Sequence, residues 1–310
     1  VPARLLHFQR LTRQPLLGPE AVPWAGPTRV VKGYQTSTSR PEVRRTIVHP
    51  SVLDLRALLP DAPARFVMYY APHHSSGIGA ALADDLLGPW RPLEANPILT
   101  LARFRGFRGH ISAPDVIWLP QERRFRLYFH GSTTRGQQTG LALSTDGLRF
   151  EPVSPDPILP YPYLRLFRRP DAFYGIVRLD DNLGLVRSTD GISWQDWPRN
   201  PLLATGDEHQ EYDRLRHYAV WVEADVLYLY YCTYVRPDES VEAIKLATID
   251  LTGDWRDWPH PERRGVVLAP ELEWECDNLR DPFLIEVEGR LYMFYVGGNE
   301  AGISLARAAD

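Results

Sequence analysis

Five short stretches carry most of the groups able to do chemistry: His49-Pro50-Ser51, Ala113-Pro114-Asp115, Arg169-Pro170-Asp171, Arg216-His217-Tyr218 and Asp281-Pro282-Phe283. They align on a shared proline, which Arg216-His217-Tyr218 alone lacks, and the residues around it are polar or charged in every copy. Asp115, Asp171 and Asp281 would form a carboxyl set. Two carboxyl groups, one raised in pKa to protonate a leaving oxygen and one ionised to activate water or attack, are what cleavage of a glycosidic bond requires. His217 is a candidate acid in the same set, since an imidazolium can protonate an alkoxide near neutral pH. Arg169, Arg216 and Arg280 would hold these carboxylates ionised or grip substrate oxygens. His49, His110, Tyr218 and Glu211 complete the expected substrate-binding surface, Glu211 from the polar run GDEHQEYDR. No short spacing links His49, His110 and His217 as a zinc motif would, so no metal ligand set is assigned from sequence. A long-range metal cluster of these histidines is the form in which a metal-dependent lyase or hydrolase would arise.

Such scattered groups meet only if the chain returns each stretch to one place. Each stretch opens an apolar segment followed by a tyrosine-rich strand pattern: Val67–Ala71, Arg126–Gly131, Ala172–Val177, Leu227–Cys232 and Leu291–Gly297. A second strand then runs into an acidic turn at Asp84, Asp146, Asp190, Asp250 or Asp310. Three copies add a proline-apolar-apolar triplet, Pro97-Ile98-Leu99, Pro157-Ile158-Leu159 and Pro201-Leu202-Leu203. A repeat of this length with four short strands reads as a blade, and an array of blades as a propeller. The expected fold is therefore all-β: one five-bladed β-propeller domain over residues 1–310, with four-stranded antiparallel blades near 44–100, 108–160, 165–204, 214–269 and 278–310. The fifth repeat stops before its outer strand, while Pro15-Leu16-Leu17 matches the triplet of the other blades. Residues 10–20 are thus expected to pair into the last blade, which removes an open sheet edge.

In a propeller the leading strands of all blades face one axis. Charged residues there are costly unless they meet water, substrate or an ion, which favours a functional funnel. The abundant aromatics, nine Trp and fifteen Tyr, mostly serve packing between blades, with a few available to stack on sugar rings. A net charge of −4 with no basic stripe leaves nucleic acid without an electrostatic footprint. No apolar run approaches a membrane span, and no leader pattern is seen. Cys232 and Cys276 are too few for a disulfide framework and are expected as buried inert thiols, consistent with a reducing, cytoplasmic compartment.

With its Ala113-Pro114-Asp115-Val116 strand, its GIGAALADDLLGPW and GLALSTDG hairpins and its Leu279-Arg280-Asp281-Pro282 string, the chain resembles the five-bladed β-propeller glycosidases of families 43, 32, 68, 117 and 130. More narrowly it resembles bacterial glycosyl-hydrolase-like proteins that share the HPSV and LRDP strings. The resemblance implies a carbohydrate substrate, no cofactor beyond a possible central ion, and, for family 43, an inverting mechanism with an Asp base on the first blade, a tuning Asp on the second and a Glu acid on the fourth. Asp115 matches the second position; the first is His49 and the fourth reads Arg216-His217. Trp274-Glu275-Cys276 and Arg280-Asp281-Pro282 match two family 32 strings, but they lie too close together to occupy separate blades. The expectation is a glycosidase acting on a furanoside or other short glycan, with a carbohydrate-binding propeller that lacks turnover as the alternative.

Overall fold

The computed structural model describes residues 2–30, 42–205, 215–234, 241–276 and 278–309. It is an all-β, five-bladed propeller. Blade one comprises Val48–Asp54, Phe66–Ala71, Gly77–Ala83 and Arg91–Pro92. Blade two comprises Arg108–Leu119, Arg124–Thr133, Gly136–Ser144 and Glu151–Pro152. Arg165–Arg169, Ala172–Leu179, Asn182–Ser188 and Gln195–Asp196 form blade three. Blade four runs through Arg216–Glu223, Val226–Tyr234, Glu242–Asp250 and Glu262–Leu268. Blade five has Leu279–Val287, Arg290–Gly297 and Gly302–Ala308, and takes its fourth strand, Phe8–Arg10, from the start of the chain.

The closing segment behaves as its composition suggests. Leu17 bridges Ile303, just as Leu99 pairs with Ile78, Leu159 bridges Thr139 and Leu203 bridges Leu183. The proline-apolar-apolar triplet is thus one recurring clamp on the third strand of a blade, and Pro15-Leu16-Leu17 supplies it to blade five. The strand Phe8–Arg10 lies a few residues ahead of the predicted start.

Five apolar clusters fill the interfaces between successive blades, including one between blades five and one around Phe66, Tyr70, Phe294 and Val296. The tyrosines of the second strands add directional ties. Tyr69 donates to the carbonyl of Gly147 at 2.8 Å and Tyr128 to that of Gly191 at 3.0 Å, each reaching from one blade to a turn of the next. A buried phenol needs such a partner, so the aromatic content fixes blade order as well as volume. Cys232 is buried as expected, whereas Cys276 is exposed, because it caps a short 3-10 turn in a left-handed conformation outside the strands. No helix among the described residues is long and apolar enough to cross a membrane.

The inner strands share a device that positions the site. In blades one, two, four and five the strand pairing skips two residues: 49–50, 113–114, 217–218 and 281–282. The first of each pair, His49, Ala113, His217 and Asp281, has positive φ, between 49° and 57°. A bulge of this kind re-aims one side chain out of the alternation of its strand. Tyr163, φ 61°, holds the same place ahead of the inner strand of blade three.

Candidate active site at the end of the axis

Three of the five bulge residues meet. The buried carboxylate of Asp281 accepts a hydrogen bond through Oδ2 from the backbone N–H of His49 at 3.1 Å. Its Oδ1 faces Nδ1 of His49 at 3.1 Å and also contacts Nδ1 of His217. The two imidazoles stack in parallel, with centroids 5.1 Å apart and planes 8° from parallel. Tyr163 lies 5.6 Å from one ring and 5.8 Å from the other. Blades one, three, four and five thus each contribute one side chain to a single point. Burial works against ionising Asp281, but the neighbouring imidazoles of His217 and His49 outweigh it and hold the carboxyl well below its ordinary range.

A second pair of histidines forms the adjoining wall. His130, on the second strand of blade two, packs on Tyr163 at 4.0 Å, and its Nε2 lies 3.4 Å from Nε2 of His110. His110 Nδ1 is in turn 3.1 Å from the Ser132 hydroxyl. Burial and the surrounding imidazoles push His110 down to about 4 and His130 well below the usual histidine value. Both rings are neutral at pH 7, so each carries one N–H donor and one bare nitrogen able to accept.

Behind the site, Arg280 is a structural cation. Its guanidinium donates to Glu242 at 2.6 Å and to Glu300 at 3.1 Å, all three groups being buried. Glu300 also faces Nδ1 of His73 at 2.9 Å, which ties the first blade's hairpin to this network. Such a buried ion network is costly to break, and it keeps Arg280 from gripping substrate as predicted.

The remaining predicted residues disperse. Asp115 is buried two positions after its bulge, accepting from the backbone N–H of Leu166 at 2.9 Å and from Arg165 at 3.4 Å. Burial raises its pKa and Arg165 opposes that rise. It lines an axial cavity of about 470 Å³ whose other walls are largely apolar, among them Val52, Val116, Leu166, Val220 and Phe283. Asp171 is not at the funnel: it sits exposed in the hairpin turn after Arg165–Arg169, bonded to the Tyr174 hydroxyl at 2.8 Å and to Arg187 at 3.2 Å. Arg169 pairs there with Asp225 at 2.7 Å. Tyr218 packs in the core between blades three and four. His110 joins His130 rather than the His49 and His217 pair expected of it. Glu211 lies outside the described residues, and so does the side chain of Arg216.

The error in blade three has a simple cause. Aligning on proline selected Pro170, which belongs to a turn, where proline is equally at home. Tyr163 to Ala172, His217 to Val226 and Asp281 to Arg290 each span nine positions, whereas His49 to Phe66 spans seventeen and Ala113 to Arg124 eleven. A spacing shared by three blades of five is a weak signal for Tyr163 and Arg165. His130 had no such signal, since it lies mid-strand in an apolar run.

No family model matches the chain. An uncharacterised protein of Acanthamoeba polyphaga mimivirus is 28% identical, over 78% of this chain and 76% of its own. Among solved structures, a glycosyl hydrolase from Bacteroides ovatus superposes with a TM-score of 0.69 at 12% identity, covering 97% of this chain and 92% of its own. A structure from the family 130 mannoside phosphorylases, described as including hydrolases that target β-1,2 mannosidic linkages in Candida mannan, gives 0.68 at 13% identity, covering 98% and 96%. A thermostable family 43 glycoside hydrolase gives 0.65 at 14% identity, covering 85% and 89%. The chain has the propeller fold of these proteins. At such identities the likeness extends to the fold and no further.

Proposed function

We propose that this protein is a glycan-active enzyme of the glycoside hydrolase type, cleaving a furanoside or other short glycan at the point where Asp281 gathers His49 and His217. The observation that carries the reading is the convergence of one carboxylate and two imidazoles from three separate blades, beside an aromatic ring able to stack on a sugar face. The shared fold of carbohydrate-cleaving propellers supports it.

The assignment departs from the paired carboxylates expected. Asp115 is engaged by Leu166 and Arg165, and Glu300 by Arg280 and His73, so neither stands ready as a nucleophile. We therefore assign direct attack by water, with inversion: the His49, His217 and Asp281 group takes the proton from water, and the departing glycosidic oxygen is protonated by solvent. Asp115 acts as a positioning residue, fixing Arg165 and the inner strand of blade three that follows Tyr163. His110 and His130, both neutral, offer hydrogen bonds to hydroxyl groups without adding charge.

A panel of glycans screened for released reducing sugar tests the reading. We expect at least one substrate to be cleaved and Asp281→Asn to slow turnover roughly 10²–10⁴-fold, the range of a lost acid-base group. Saturable glycan binding with no product from any member would instead favour the second reading, a carbohydrate-binding propeller. The presence of a single acid among the five bulge residues motivates that alternative.

A further inference from the structure

We infer that His49, His217 and Asp281 form a binding site for one divalent first-row transition-metal ion. The three residues each offer one ligand atom, and these atoms lie within 4.8 Å of one another. Bonds of about 2.0–2.2 Å from an ion to nitrogen and carboxylate oxygen leave adjacent donors a little over 3 Å apart. The 3.1 Å between His49 Nδ1 and Asp281 Oδ1 matches that separation. Two imidazoles and one carboxylate suit zinc, iron or manganese better than calcium, which prefers an all-oxygen shell. A set of three also leaves coordination positions for water or substrate.

The surroundings supply what ligands need in support. Asp281 Oδ2 is held by the His49 N–H, so Oδ1 is turned toward the two rings. Among the described residues no guanidinium or ammonium group bonds this carboxylate; Arg280, its chain neighbour, is committed to Glu242 and Glu300. His130, its ring centre 6.2 Å from that of His49, is buried with no partner for Nδ1 among the described residues. Water carried by the ion is one partner such a nitrogen can take.

The inference concerns the same point as the proposed hydrolysis but is argued from the donor set and its surroundings, not from any activity. The test is a titration of the chelator-treated, full-length protein with Co²⁺, followed by visible absorption and calorimetry, beside metal analysis of the untreated protein. One Co²⁺ per chain is expected. Asp281→Asn and His217→Gln should each weaken binding by more than the roughly 10–100-fold that loss of a supporting residue costs. His73→Ala with His74→Ala, which removes the stacked pair near the rim, should titrate like the wild type. Absence of stoichiometric binding by the wild type overturns the inference, as does binding that survives Asp281→Asn or vanishes only with His73 and His74. His49→Gln replaces any ligand variant that does not fold. Stoichiometric Co²⁺ without cleavage of any glycan would sustain the metal site and count against the hydrolase; cleavage by a protein that binds no metal would do the reverse.

Discussion

Two sets of repeated positions in this ring differ in what recurs. At the turns after the third strands of blades two and three, the sequence Ser-Thr-Asp-Gly recurs and so does every bond. The Ser144 hydroxyl donates to Asp146 at 2.9 Å, and Asp146 accepts from the N–H groups of Leu148 and Arg149 at 2.8 Å each. Ser188 and Asp190 repeat this with Ile192 and Ser193 at 2.8 and 2.7 Å. At the inner bulges the backbone recurs but the side chains vary: His49, Ala113, Tyr163, His217 and Asp281 share a left-handed φ across four residue types. Where side chain and backbone are kept together, the residue builds the fold. Where only the backbone is kept, the position is a socket into which chemistry is placed.

This contrast can be broken at several points. The largest effect belongs to the sockets: His49→Ala should cut any glycan turnover by roughly 10²–10⁴-fold while the melting temperature moves little, as measured by parallel kinetics and thermal denaturation. At the turns the balance reverses. Gly191 has φ +73°, and a Cβ there would lie 2.4 Å from Nη1 of Arg126. Gly191→Ala should therefore cost about 2 kcal/mol of stability, with activity retained at temperatures where the variant is folded.

Ala113 sharpens the comparison from the other side. It is the one socket occupied by a residue with no polar group, yet it carries the steric cost of φ 49°. Ala113→Gly should raise stability by about 1 kcal/mol in denaturant titration and leave turnover unchanged. The smallest effect concerns acid. Burial works to raise the pKa of Asp190, but the N–H groups of Ser193 and Ile192 and the Ser188 hydroxyl outweigh it and bring the carboxyl to about 2. A carboxyl lowered on folding stabilises fully above its unfolded value, near 4, and that contribution disappears as pH falls through about 2. Asp190→Asn should remove this part of the acid sensitivity, a change held below about 1 kcal/mol by solvent exposure and visible in melting curves between those pH values.

Much of the ring was legible in the chain because strands, turns and clamps each have local chemistry. Tyrosine-rich runs, Asp-Gly turns and the proline-apolar-apolar triplet each report on their own neighbourhood, and even Pro15-Leu16-Leu17 could be recognised far from its partner Ile303. The site was legible only in part. Asp281, His217 and His49 stood out as charged or ionisable residues beside prolines or a blade start, and the structure brings them together. Asp171 stood out for the same reason and lies in an exposed turn, because a proline marks a bulge and a hairpin alike. Asp115 and Arg280 are polar near the axis, but their bonds hold neighbouring strands together. Sequence announces a buried charge; it does not say whether the charge faces a ligand or another part of the protein.

The strand Phe8–Arg10 lies against Gly302–Ala308, with Leu11 and Leu16 also bonded across to that strand. The fifth sheet is therefore built from two segments far apart in sequence, and their pairing holds the ring shut. His49 and Asp281 lie on blades one and five, so the bond between them joins the first and last blades of the ring.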